Sequence, residues 1–165
     1  MQPTLDVLNK LDWNVTDFNV NNIDLFDPES ITFNVTEYSF KQFLNRPFDP
    51  PLYEIVLYFP LDTKNPNTGS RESYLVRRVY RSETGFNVYD ILGAINTFYN
   101  KPIDKNLVYN MAKQGYIQSI DLRNRDQQGL WLNNSLPNSY LLHWVGLFFR
   151  GLEPYQDGYR IIVGP

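Results

Sequence analysis

The chain holds a single histidine, His143, and no cysteine. Without Cys there is no disulfide framework, no thiolate metal site, no iron–sulfur cluster and no cysteine nucleophile. With one imidazole, the base of a serine-type or zinc-type mechanism would have to be His143, beside Asp121 or Asp126. Its neighbours Leu141, Leu142, Trp144 and Val145 fit a half-buried structural histidine better. No P-loop, dinucleotide fingerprint, G-x-S-x-G or H-E-x-x-H segment occurs, so no nucleophile, metal or cofactor site can be named. The expectation is a non-enzymatic protein with no catalytic residues, no cofactor and no metal.

What remains is chemistry of contact. Leu130, Trp131 and Leu132, with Leu136, sit in a mostly polar stretch between Arg123 and Ser139. A tryptophan flanked by leucines in a long polar loop has the composition of a protein-binding anchor. The first fifty residues offer a second contact surface. There Trp13 and Phe18, followed by Phe26, Phe33, Phe40 and Phe43, hang on weak local periodicity. A third candidate is the arginine set Arg77, Arg78 and Arg81, preceded by Arg71 and interleaved with Tyr74 and Tyr80. Guanidinium groups holding phosphates beside tyrosines that stack bases would make a nucleic-acid platform. Only Arg78 shares the tyrosine face, however, and the chain carries a formal net charge of -3 where nucleic-acid-binding domains are usually strongly basic. Residues 1–70 hold 10 acids and 4 bases, and residues 71–165 hold 8 acids and 11 bases. That asymmetry suits arginines paired with carboxylates of the N-terminal part, or head-to-tail association, at least as well as nucleic acid.

These residues need a scaffold, and the composition supplies one. With 165 residues, 42% hydrophobic and 16% aromatic, the chain is long and apolar enough for one domain with a full core. Leu5, Leu8 and Leu11 recur at helical spacing; Ile31, Phe33 and Val35 alternate as in a strand; Thr36 is placed to start a short helix. From residue 51 the pattern sharpens. Tyr53 to Phe59 reads as a strand stopped by Pro60, and Asn65-Pro66-Asn67-Thr68-Gly69 as a hairpin loop. A second strand follows over Ser73 to Arg81, with Tyr74, Val76, Arg78 and Tyr80 on one face and Leu75, Arg77, Val79 and Arg81 on the other. Val88, Ile91, Leu92, Ile95, Phe98 and Tyr99 define a helix. Asn87 is its N-cap, Asp90 its acidic N3, and Phe86 with Ile91 its hydrophobic staple. Asp104 starts a second helix carrying Leu107, Val108 and Met111, with Gly115 at its C-terminal end. Further strands are expected over Tyr116 to Leu122, Tyr140 to Leu152 and Tyr159 to Val163, the last two joined through the Asp157-Gly158 turn signal.

Four short motifs carry a family resemblance: Leu11-Asp12-Trp13-Asn14, Pro50-Pro51-Leu52, the run Phe86 to Ile95, and Phe149-Arg150-Gly151-Leu152. Together they resemble an uncharacterised domain family of basidiomycete fungi and giant DNA viruses. In that family a Trp-Asp pair precedes a hairpin and a V-x-D-V-L-x-A-I helix. Asn14 stands where the family often has Asp. The resemblance implies an α+β fold and no established activity, and the abundance of Asn, Tyr and Phe points to the viral branch.

The sequence thus predicts an α+β fold: an antiparallel sheet of about five or six strands with two central helices. Residues 1–50 form an N-terminal arm packed on a core of residues 51–165. The expected role is a protein-interaction or scaffold module, self-assembling or bound to a protein partner, with nucleic acid as the alternative partner. No signal peptide and no membrane-spanning run are recognised, so the expected location is intracellular, in host cytoplasm or virion.

Overall fold

The computed structural model describes residues 7–17, 24–25, 44–63, 73–114, 116, 136–142 and 146–165. Six strands form one sheet: β1 (Leu11–Asn14), β2 (Asp24–Leu25), β3 (Glu54–Thr63), β4 (Ser73–Arg81), β5 (Phe148–Tyr155) and β6 (Gly158–Gly164). Their spatial order is β2-β1-β5-β6-β3-β4, which leaves β4 at one edge. Two helices, α1 (Val88–Asn100) and α2 (Lys105–Lys113), follow β4 in the chain. The fold is α+β as expected, but the sheet is mixed. β6 lies parallel to β3, with Leu57 opposite Tyr159 and Tyr58 opposite Arg160. All other pairs are antiparallel. A long-range parallel pairing of this kind has no local sequence signature, because it depends on a crossover rather than a turn.

Alternation assigns the strand side chains to two faces. Ile55, Leu57, Phe59 and Leu61 of β3 point to the inner face and are buried in the hydrophobic core. There α1 covers them: the Phe59 and Phe98 rings stack at 4.0 Å, and Tyr99 meets Phe59 edge-on at 5.8 Å. Each such side chain, fully withdrawn from water, contributes roughly 1.5–3 kcal/mol. Pro60 does not stop β3, which runs on to Thr63: opposite Leu75 it occupies a position that needs no N–H toward β4, and its carbonyl accepts the buried Tyr99 hydroxyl at 2.8 Å.

The start of α1 matches its sequence signals. Asn87 Oδ1 accepts the Asp90 N–H at 2.7 Å and the Asp90 carboxylate accepts the Asn87 N–H at 3.1 Å, closing the capping box. The α2 start also conforms, with Asp104 Oδ1 accepting from the Asn106 N–H at 2.8 Å. Val108 and Met111 turn into the same core as α1.

The N-terminal segment differs from expectation. Of the leucines at helical spacing, Leu8 lies in a 3₁₀ turn, Val7–Lys10, Leu11 begins β1, and Leu5 lies outside the described residues. Pairing with β5 sets Trp13 opposite Phe149, and Leu8, Leu11, Trp13 and Val15 join the core. Side-chain amides of Asn96 and Asn100 on α1 donate to the Val15 and Thr16 carbonyls, at 2.9 and 3.2 Å. Asn9 Oδ1 accepts the Leu152 N–H on β5 at 2.7 Å. Hydrogen bonds to α1 and β5 therefore fix a segment whose own periodicity is weak.

The apolar run Tyr140 to Phe149 is not one strand. Asn138–Leu142 forms a 3₁₀ turn, and β5 begins at Phe148. Two causes act together. Asn138 is anchored to the end of α1, its N–H donating to Lys101 O at 2.8 Å and its amide to Phe98 O at 2.9 Å. Gly146 then reverses the chain at φ +90°, where a Cβ would lie 2.3 Å from the Gly164 carbonyl carbon. Of the expected strand Tyr116 to Leu122, only Tyr116 is described, and it belongs to no strand. The expected elements around Ile31 to Leu44 lie outside the described residues save Leu44, which is in the core.

Candidate interaction surface

The outer face of the sheet, turned away from α1, carries Glu54, Val56 and Tyr58 of β3. From β4 come Leu75, Arg77, Val79 and Arg81, and from the β5–β6 hairpin Glu153, Tyr155 and Arg160. Register places Glu153, Arg160, Tyr58 and Arg77 in one row across four strands. Gln156 and Asp157 form the two-residue turn at the end of the β5–β6 hairpin, with Gln156 at φ 45°. Gly158 lets that turn settle against β3, since a Cβ there would lie 2.1 Å from the Val56 carbonyl oxygen.

The turn delivers Asp157 to the row. Its carboxylate accepts from the Tyr58 hydroxyl and pairs with Arg77, whose Nε lies 3.1 Å from Oδ2. Glu153 pairs with Arg160, which also stands over the Tyr155 ring at 5.6 Å. Arg81 Nε meets its cross-strand neighbour Glu54 at 2.9 Å. Hydrogen bonds from Arg77, and then from Tyr58, hold the Asp157 carboxyl at about 2, well below the usual carboxylate range. The bond to Asp157 pushes the Tyr58 hydroxyl up. At neutral pH the carboxylate is therefore charged and the phenol protonated, a static donor–acceptor pair rather than a proton relay.

The predicted site residues fare differently. Arg77, Arg78 and Arg81 are all exposed on β4. Arg81 pairs with an acid of the N-terminal half, as the charge asymmetry suggests, whereas Arg77 pairs with Asp157 of the C-terminal half. Arg78 has no carboxylate partner among the described residues; its Nη1 donates to the Arg77 carbonyl at 3.0 Å. Tyr80 lies on the opposite face of β4 from Arg77 and Arg81. It is half-buried on the inner side, edge-on to Phe59 at 6.3 Å, and burial pushes its hydroxyl up. Trp13 is likewise corrected from contact residue to core: it is 1% exposed, with its ring 6.1 Å from Phe149. Phe18, Leu130, Trp131, Leu132 and His143 lie outside the described residues.

Sequence reasoning did not single out Tyr58, Glu54, Glu153, Asp157 or Arg160. Alternation alone would have put Tyr58 and Glu54 on one face, and the Asp157-Gly158 pair marked a turn. The parallel β3–β6 pairing that carries this turn to Tyr58 left no local trace.

The backbone of β4 adds a second feature. The Ser82 N–H donates to the Tyr53 carbonyl at 2.8 Å, which makes this a hydrogen-bonded pair of the β3–β4 ladder. Strict alternation then makes Tyr80 with Ile55, Arg78 with Leu57 and Val76 with Phe59 the other bonded pairs. The N–H and C=O groups of Leu75, Arg77, Val79 and Arg81 accordingly point away from β3. Among the described residues no strand pairs with them. The Arg78 guanidinium on the Arg77 carbonyl fits this phase.

Among the described residues no group of three or more His, Asp or Glu is placed to hold a metal ion, and no helix is long and apolar enough to cross a membrane. No family model, curated protein or solved structure matches the chain.

Proposed function

We propose that the chain is a non-enzymatic protein-interaction module that binds through the β4 edge and the adjoining outer face of the sheet. The observation that carries this reading is the outward row of backbone groups on β4, flanked by exposed arginines and by Val79, itself 40% exposed. Exposed backbone donors and acceptors in a regular strand are a template for a partner. The ion pairs on the outer face support a contact that is polar at its rim. Leu130, Trp131 and Leu132 remain candidate anchors for the same role. A scaffold function in a large DNA virus, in host cytoplasm or virion, rests on the family resemblance.

Nucleic acid as partner has less support. Arg77 and Arg81 are each engaged by a carboxylate, and the half-buried Tyr80 lies on the other face of β4. The test is selection of a displayed random-peptide library against the folded chain, with an Arg78→Glu chain as counter-selection and amide-shift mapping of the enriched peptides. Enriched peptides should shift Arg77 to Arg81. Failure to enrich any peptide, with oligonucleotide binding that falls steeply with salt, would replace this reading with the nucleic-acid one.

A further inference from the structure

The interaction reading can be deepened to a mode and a partner chemistry. β4 is nine residues long, about 30 Å at ~3.3 Å per residue, and can accommodate a strand of ordinary length. Its register against β3 runs without interruption from Glu54 opposite Arg81 to Pro60 opposite Leu75. Proline, a bulge or an inward charge commonly blunts a sheet edge. Over this stretch β4 has no proline and no bulge, and the one charge on its inner-face register is Arg78, whose side chain is exposed. Its only guard among the described residues is the Arg78 side chain, which occupies the outward carbonyl of Arg77.

A second copy of β4 is a poor match for this edge. Antiparallel self-pairing centred on Arg77 or on Arg78 would set arginine directly opposite arginine, which is unfavourable. The strand holds Arg77, Arg78 and Arg81 and no acid. Of the three, Arg78 is the one with no carboxylate partner among the described residues. Resting on the interaction reading above, we propose that β4 accepts an extended acidic segment of a partner protein as a seventh strand, with Arg78 as a removable guard. On docking, Arg78 leaves the Arg77 carbonyl, which accepts an N–H from the incoming strand. The freed guanidinium then pairs with a carboxylate on that strand. Val79, facing outward between Arg77 and Arg81, selects an apolar residue opposite it. The recognised pattern places an apolar residue beside an acid, with a second acid opposite Arg81.

The probe is a synthetic peptide with a central Glu-Thr-Val-Glu-Thr segment, titrated against the intact chain by calorimetry at low salt. Two N-methylated forms accompany it, one blocked on the alternate amides that would face β4, the other on the alternate amides that would face solvent. Blocking the β4-facing set should weaken binding by at least about tenfold, while the other set binds like the parent. Replacing both glutamates by lysine should abolish binding, and Arg78→Glu in the protein should do the same. Because the decisive change is made in the peptide, folding of a protein variant does not limit the result. Equal binding of the two N-methylated forms, with shifts still centred on Arg78, would overturn strand addition and leave the interaction reading standing. No binding of the parent peptide would overturn the acidic-strand proposal. Binding of the lysine form as tightly as the glutamate form would overturn it too.

Discussion

The two faces of one sheet are built on opposite principles. On the inner face Ile55, Leu57, Phe59 and Leu61 pack under α1, and stability there comes from removal of apolar surface and close ring contacts. On the outer face the same strand carries the exposed Glu54, paired with Arg81, and the buried Tyr58, whose hydroxyl donates to Asp157 within the exposed Arg77–Asp157 pair. Interior packing tolerates little change because lost contacts are not replaced by solvent. Exposed ion pairs tolerate much, because water competes for both partners. The difference separates the part of the molecule that specifies the fold from the part held by exposed ion pairs.

Substitutions should expose that contrast, and the largest effect belongs inside. Phe59→Ala removes a ring stacked on Phe98 and touching Tyr99 and Tyr80, and should cost about 3–5 kcal/mol in a denaturant titration. Gly158→Ala breaks the simple rule that the outer face is tolerant. Its new Cβ would collide with the Val56 backbone rather than with a flexible side chain, so about 1–3 kcal/mol should be lost as the β5–β6 turn lifts from β3. A smaller effect, present at neutral pH and disappearing in acid, is expected of Asp157→Asn. The folded-state pKa of Asp157 is depressed, so its contribution is complete above its ordinary value near 3.8 and is lost as pH falls toward about 2. The variant should show a flatter stability profile across that window and converge with the parent below it. Glu54→Gln, at the exposed pair with Arg81, should change stability by no more than about 1 kcal/mol. A loss of several kcal/mol at Glu54 would dissolve the distinction between the faces.

Local patterns carried the inner face well. The helical repeat from Val88 to Tyr99, the Asn87 and Asp90 capping signals and the two-sided alternation of β4 all stand in the structure as the residues implied. These are features in which each residue's role is set by neighbours a few positions away. What escaped was set by distant partners. Trp13 looked like a loose aromatic because nothing near it in sequence buries it; its burial comes from Phe149 on β5. The run after Tyr140 looked like a strand because anchoring of Asn138 by Phe98 and Lys101 is invisible in the run itself. For the contact surface, the arginines of β4 were legible, but their partners Glu54 and Asp157 and the outward phase of the backbone were not.

The central claim is that β4 is a guarded edge with no pairing strand among the described residues, and amide hydrogen exchange resolved by residue in the isolated chain tests it most directly. The N–H groups of Val76, Arg78 and Tyr80, bonded to β3, should exchange slowly, while those of Leu75, Arg77, Val79 and Arg81 exchange fast, an alternation along a single strand. Uniform slow exchange across all seven would show that β4 is already paired on its outer side and would contradict the account.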